Sequence, residues 1–330
     1  MNEAKEDLGG GRRVVVESSV LAWPAVAVHG GAGTFTVLRD GGPEARAALE
    51  ATLEAALRSG WAVLSAGGAA LEAAVEAVAT MEDSGLFNAG KGSVPTTAGA
   101  VETDAGVMDG ATGRAGGVCA LTWPANPVRA ALAVARLTGD PVPVLLAGAG
   151  GDELAKAQGL APMSGGTARR PTNSAKSKGA ALRAGSAQGQ AAGGSGGPGT
   201  GTVGAVALDA AGHLAAATST GGLAGQRPGR VGDSAIPGAG TWADDRTVAL
   251  SATGTGEAIL LSGFAHLVDR SLREGTRLEG AVVAALDAVL QRGGTGGVIA
   301  LSPRGELAFA FATPTMARGW RAADRLWVRI

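Results

Sequence analysis

The chain has 330 residues, 45% of them hydrophobic and 17% charged, with a formal net charge of −1. That is enough apolar material for a sizeable core, and it excludes an electrostatic case for binding nucleic acid or an acidic membrane surface. A single cysteine, Cys119, excludes any intrachain disulfide and fits a cytoplasmic home.

Residues 1–22 read as a loose N-terminal extension. Arg12 and Arg13 precede an apolar run, the outline of a signal peptide, but Glu17 interrupts it. No run reaches the ~18 apolar residues of a spanning helix. Pro24–Val28 reads as a short strand that ends in the glycine-rich loop at 30–33. Helical spacing of Ala, Leu and Glu follows over 43–66, and again over 69–82 after Gly67 and Gly68. Residues 85–104 are loop-rich, and 105–108 and 118–123 read as strands. Pro127 suits the first turn of a helix running to about 138. A short strand at 144–147 and a short helix at 151–158 complete residues 23–163, the first half of one domain.

Residues 164–200 contain no Asp or Glu and are mostly Gly, Ala, Ser and basic or amide residues. Such a segment buries too little apolar surface to offset chain entropy and is expected to be a disordered linker. Residues 202–330 form the second half. Strands are expected at 203–209, 213–218 and 246–252, one long helix over 257–274, a second over 277–291, and a hairpin of 297–301 with 306–312. Hairpins alternating with helix pairs argue a layered α/β fold with a substantially antiparallel sheet.

Thr202 stands at the first position of a core strand, directly after the linker. Read alone, it is either a strand that happens to begin with threonine or the nucleophile of N-terminal threonine catalysis. In that chemistry one residue supplies both hydroxyl nucleophile and amine base. Other motifs carry less. Gly85–Lys91 approaches a phosphate-binding loop, but Gly92 replaces the hydroxyl residue that would hold magnesium. Gly193–Gly197 matches G-x-S-x-G through linker composition. His29, His213 and His266 lack the spacing of a zinc site.

Seven motifs stand in order: His29-Gly30-Gly31-Ala32-Gly33-Thr34; Leu86–Gly92; Glu102-Thr103-Asp104 running into Val107–Gly110; Gly201–Asp209; Ala217–Gly222; Pro228–Ser234; and Thr253–Glu257. Together they resemble the isoaspartyl peptidase/L-asparaginase family, the plant-type asparaginases among N-terminal-nucleophile hydrolases, from about residue 24 to 317. The resemblance implies the αββα sandwich of that hydrolase type and cleavage of the Gly201–Thr202 bond. It implies hydrolysis of L-asparagine to L-aspartate and ammonia, and of N-terminal β-aspartyl dipeptides. It makes Thr202 the nucleophile and Thr220 the residue that tunes it. Thr253 and the Gly254 N–H become the oxyanion hole, and Asn88 and the 29–33 loop position the nucleophile. Arg230 is implied for the substrate α-carboxylate, and Asp233 with the Gly256 carbonyl for the α-ammonium. The family also implies a structural sodium on backbone carbonyls of Met81, Glu82, Ser84, Phe87, Ala89 and Lys91, with no cofactor for catalysis. The expected assembly is a dimer of processed αβ units. The alternatives are glycosylasparaginase or a threonine endopeptidase of the same fold, or an unprocessed, non-enzymatic amino-acid-binding protein.

Overall fold

The structure, a computed structural model, describes residues 1–34, 36–163 and 201–330. The linker expected at 164–200, with its Gly193–Gly197 match, lies outside the described residues. In chain order the elements are β1 (Asn2–Asp7), β2 (Arg13–Val20), β3 (Ala25–Gly33), α1 (Thr36–Ser65), α2 (Ala70–Ser84), β4 (Thr103–Asp109), β5 (Ala115–Leu121), α3 (Pro127–Ala135), β6 (Leu145–Ala147) and α4 (Gly148–Ala157). The second half contributes β7 (Val203–Leu208), β8 (Leu214–Thr220), β9 (Thr241–Asp244), β10 (Val248–Gly254), α5 (Gly256–Ser262), α6 (Phe264–Arg273), α7 (Leu278–Gln291), β11 (Gly296–Leu301), β12 (Glu306–Phe311), β13 (Thr315–Ala322) and β14 (Arg325–Arg329).

Two sheets result. One runs β1-β2-β12-β11-β10-β9, the other β14-β13-β3-β7-β8-β4-β5-β6. Almost every pairing is antiparallel, the parallel β5–β6 pair being an exception. Side chains alternate across a strand, so each sheet has two buried faces to fill. One core cluster joins Val26, Val28, Ala205, Ala207, Ala215 and Ala217 of the larger sheet to α1, α2 and α3. A second joins Val248, Leu250, Ala252, Val298 and Ala300 of the smaller sheet to α5, α6 and α7. The third holds residues of both sheets: Ala27, Val206 and Ala216 from one, Ala249, Ile299 and Phe309 from the other. The fold is mixed α/β, and alanine is common on the faces where helix or sheet backbones approach. Among the described residues no helix is long and apolar enough to cross a membrane.

Several expectations need correction. Residues 2–20 are not a loose extension but a hairpin, β1 paired with β2, and β2 is paired in turn with β12. Val14 and Val16 are buried in the smaller sheet's outer core. Glu17, the residue that broke the apolar run, is itself buried, with Arg318 Nε donating to its Oε2 at 2.8 Å. A buried carboxylate is tolerated because the guanidinium compensates its lost hydration. The long helix expected over 257–274 is two helices, because Gly263 takes φ 60, a left-handed conformation that ends α5. The helix expected from 43 does begin a helical run there: Gly42 (φ 58) breaks α1, and Pro43 sits where the following turn starts. β9, β13 and β14 have no counterpart among the expected elements.

Candidate active site

The site grows from the meeting of β3, β7, β8 and β10. β3 and β7 pair so that His29 lies opposite Gly204, which brings the glycine loop at 30–33 alongside the start of β7. Gly31 takes φ +98, and a Cβ added there would lie 2.6 Å from Gly201 N and 2.7 Å from Gly201 Cα. Any side chain at Gly31 would therefore collide with the residue before Thr202. β7 and β8 pair Val203 with Ser219, which carries Thr202 towards Thr220 at the strand end. The Thr202 Oγ1 donates to Thr220 Oγ1 at 3.0 Å. Thr220 Oγ1 also accepts from the Gly222 N–H at 3.1 Å, so the turn that follows β8 holds its rotamer.

Asn88 acts on that same turn. Its Nδ2 donates to the Gly222 carbonyl at 2.7 Å, its Oδ1 accepts from Val94 N–H at 3.1 Å, and its carbonyl accepts from Gly221 N–H at 2.8 Å. The structure thus places Asn88 behind Thr220, as a clamp on residues 220–222.

β10 supplies the opposite wall. Its residues alternate: Val248, Leu250 and Ala252 enter the helix-side core, so Ser251 and Thr253 face the other sheet. The Thr253 hydroxyl comes to 3.6 Å from where a Cβ on Gly201 would stand. The next residue, Gly254, has φ 146 and is paired with Gly296; a side chain there would press on the Thr295 carbonyl. Ser251 Oγ meets His29 Nε2 at 2.9 Å and Thr218 Oγ1 at 2.7 Å. Gly31 N–H donates to His29 Nδ1 at 3.3 Å, which leaves Nε2 as the protonated nitrogen that donates to Ser251. Burial pushes the His29 imidazole down to about 3, against a smaller opposing pull from the Thr202 backbone. A neutral ring therefore fixes the glycine loop beside Thr202 without contributing charge.

A charged cluster adjoins this neutral wall. Arg230 and Asp233 lie in the loop after β8, and a Cβ on Gly256 would be 2.9 Å from Arg230 Nη2 and 3.0 Å from Asp233 Oδ1. The two side chains therefore converge on the first turn of α5. Arg230 donates from Nε and Nη2 to the Glu257 carboxylate at 2.9 and 3.0 Å, and from Nη1 to Gln226 at 3.3 Å. Asp233 is buried, and its Oδ2 has no hydrogen-bond partner among the described residues. Burial raises its pKa to about 7; Arg230 opposes the shift, while Asp104 and Glu257 add to it.

The structure brings together Gly201, Thr202, Thr220, Thr253 and Gly254 on one side, and Arg230, Asp233 and Gly256 on the other. Residues 253–256 join the two. Sequence reasoning assigned no role to Ser251, Gln226, Glu257 or Asp104. Ser251 had a signal, since it stands two residues before Thr253 on the same strand face. Glu257 had another, an acid in the first turn of a helix beside an expected arginine site.

Residues 22–329 match the asparaginase family. The chain belongs to that family of hydrolases. It is 44% identical to a plant-type L-asparaginase of Pyrobaculum calidifontis, over 89% of this chain and 95% of that protein. It is 38% identical to an isoaspartyl peptidase/L-asparaginase of Xenopus laevis, over 93% and 95%. It is 39% identical to an isoaspartyl peptidase of Salmonella typhimurium, over 89% and 94%. The family match begins just after β2, so the hairpin of residues 2–20 lies outside it.

Proposed function

We propose that this asparaginase-family chain cleaves its own Gly201–Thr202 bond and then hydrolyses L-asparagine and N-terminal β-aspartyl dipeptides through the freed Thr202. The observation that carries this reading is the convergence of Thr202 Oγ1 on Thr220 Oγ1 at 3.0 Å, with the Thr253 hydroxyl beside Gly201. The names of the relatives support the two substrate types. The three core clusters, with helices packed outside two facing sheets, are what an αββα sandwich of the N-terminal-nucleophile type requires.

In the first step the Thr202 oxygen bonds to the Gly201 carbonyl carbon. The C–N bond breaks, and the nitrogen leaves with the hydroxyl proton as a free amine. Water then hydrolyses the ester, restoring the hydroxyl and leaving a carboxylate on Gly201. Gly31 leaves the room this rearrangement needs.

In the second step the Thr202 amine takes the proton of its own hydroxyl, since a free α-amine has a pKa near ~8. The oxygen attacks the side-chain amide carbon of the substrate. Negative charge develops on the amide oxygen, where the Thr253 hydroxyl and the Gly254 N–H donate; such a donor contributes roughly 3–4 kcal/mol. Ammonia, or the amine of a shortened peptide, departs with the proton. Water attacks the ester and releases aspartate. Arg230 holds the α-carboxylate, once the substrate competes with Glu257 for its fork. Asp233 holds the α-ammonium through Oδ2, the oxygen without a partner among the described residues.

The loop at 81–91 suits a structural sodium. Among the described residues no cluster of His, Cys, Asp and Glu side chains could hold a metal, and a hard cation here would use backbone oxygens. Ser84 Oγ donates to the Met81 carbonyl, Ala89 N–H to that of Phe87 and Gly92 N–H to that of Ala89, so these carbonyls line the loop. Lys91 turns its ammonium to Asp83 at 3.0 Å, so its charge does not oppose a cation on its own carbonyl.

The test is a denaturing gel and intact mass after incubation, followed by ammonia release from L-asparagine and cleavage of β-aspartyl dipeptides and a glycosylated asparagine. Two fragments, the second starting at Thr202, with activity on the first two substrates are expected. A full-length inert chain would establish the non-enzymatic binding protein instead, and activity on the glycosylated substrate alone would establish a glycosylasparaginase.

A further inference from the structure

Glu102 and Asp104 belong to the first half of the chain, yet both reach the loop of the second half that carries Arg230 and Asp233. Gly229 N–H donates to Glu102 Oε2 at 2.7 Å, and Gly232 N–H donates to Asp104 Oδ2 at 3.3 Å. Arg230 lies between these two anchors, and Asp233 follows the second. Asp104 is only 3% exposed, and its backbone pairs with Thr220 across β4 and β8. Its other carboxylate oxygen accepts from Ala120 N–H at 2.8 Å. Ala120 takes φ 52, which non-glycine residues rarely adopt, and the β4–β5 register slips at that point, between Thr103 and Ala105. An irregularity of this kind re-aims a side chain out of the regular pleat. Here the carboxylate it serves is the one that leaves β4 for the Arg230 loop.

We propose that Asp104, with Glu102 as its outer companion, is a positioning residue for the amino-acid head-group site, holding Arg230 and Asp233 at the spacing that reads a free α-carboxylate and α-ammonium. This rests on the head-group reading above and extends it to residues that touch no substrate. Asp104 also acts by charge. The groups facing Asp233 are Arg230, which favours its ionised form, and Asp104 and Glu257, which disfavour it. Removing the Asp104 charge therefore lets Asp233 ionise at lower pH.

The experiment compares the wild-type chain with Asp104→Asn and Glu102→Ala. It follows cleavage by intact mass, asparagine hydrolysis by KM and kcat, and L-aspartate affinity by calorimetry from pH 5 to 9. For Asp104→Asn, KM should rise about tenfold, the loss of one hydrogen bond to a carboxylate, with kcat changed far less. The midpoint of aspartate binding should move to lower pH. Glu102→Ala, at a part-exposed position, should raise KM by only a few-fold and leave the midpoint in place. A raised KM with an unmoved midpoint in Asp104→Asn would reduce that residue to scaffolding and overturn the charge role. An unchanged KM overturns the positioning role. If Asp104→Asn does not fold, Glu102→Ala decides alone, and wild-type KM there overturns the proposal. A wild-type chain that binds no L-aspartate would instead defeat the head-group reading itself, and this inference with it.

Discussion

The two walls of the site are built on different physics. Around Thr202 the wall is neutral: three threonine hydroxyls, an uncharged His29 and close glycine backbones. Around Arg230 it is ionic: one guanidinium among Asp104, Asp233 and Glu257. The neutral wall depends on placement to within fractions of an ångström, because hydroxyl and N–H groups act only at hydrogen-bond range. The ionic wall depends on charge balance, and its binding strength changes with pH. A substrate must satisfy both, and the link between 253 and 256 sets their separation. Under the proposed function, the wall around Thr202 would serve self-cleavage and hydrolysis alike, whereas the ionic wall would serve the substrate alone.

That asymmetry can be broken by mutation, and the largest effect is expected at Thr202. Thr202→Ala should remain full length and inactive, since one hydroxyl serves both reactions; its loss at a strand end costs the fold only about 1 kcal/mol. Intact mass and ammonia release decide it, and activity in the uncut variant would remove the core of the reading. Thr202→Ser and Thr202→Cys should process slowly, as they keep a nucleophile but lose the methyl group that restricts χ1.

Gly31→Ala should block cleavage while keeping the head-group site. The new Cβ would meet Gly201 N at 2.6 Å, in a backbone conformation that alanine resists. The check is a time course on a denaturing gel alongside calorimetric binding of L-aspartate. Normal cleavage in this variant would show that the glycine loop is not limiting.

Arg230→Ala should give the converse result, with normal cleavage and asparagine kcat/KM lowered by roughly tenfold to a hundredfold, as for a lost hydrogen bond to a charged group. Failure to cleave in a folded Arg230→Ala protein would mean that the two walls are not separable.

The smallest effect is a pH dependence. Asp233 has its pKa raised to about 7, so it is ionised above that pH and neutral below it. Asparagine kcat/KM should fall as pH drops through 7, in addition to the loss that protonation of the Thr202 amine causes from about 8 downward. Self-cleavage engages no α-ammonium and should not follow that step. Parallel profiles for the two reactions would show that the same group controls both.

Most of the neutral wall is legible in the amino-acid sequence. Thr202, Thr220 and Thr253 sit in short motifs with their glycines, and strand alternation alone places Thr253 on a buried face. The helices at 69–82 and 277–291 are legible from periodicity. The ionic wall is legible in Arg230 and Asp233 but not in their partners. Glu102, Asp104, Gln226 and Glu257 owe their roles to where the 229–233 loop folds back, and a sequence pattern does not carry the direction of a loop.

The N-terminal hairpin marks the limit most clearly. Asn2–Asp7 is exposed throughout, with Ala4 its one apolar residue, so no alternation announces a strand, and Glu17 looks like an interruption in an apolar run. By itself the sequence determined the strands at 203–209 and 213–218, the helices at 69–82 and 277–291, and the threonines that the fold gathers into one wall. These are local matters, set by periodicity and by short motifs. The tertiary structure alone decided that β2 joins a sheet and that Glu17 can be buried. The first depends on pairing with β12, and the second on Arg318, 301 residues away in the chain, whose guanidinium replaces the water that the carboxylate loses.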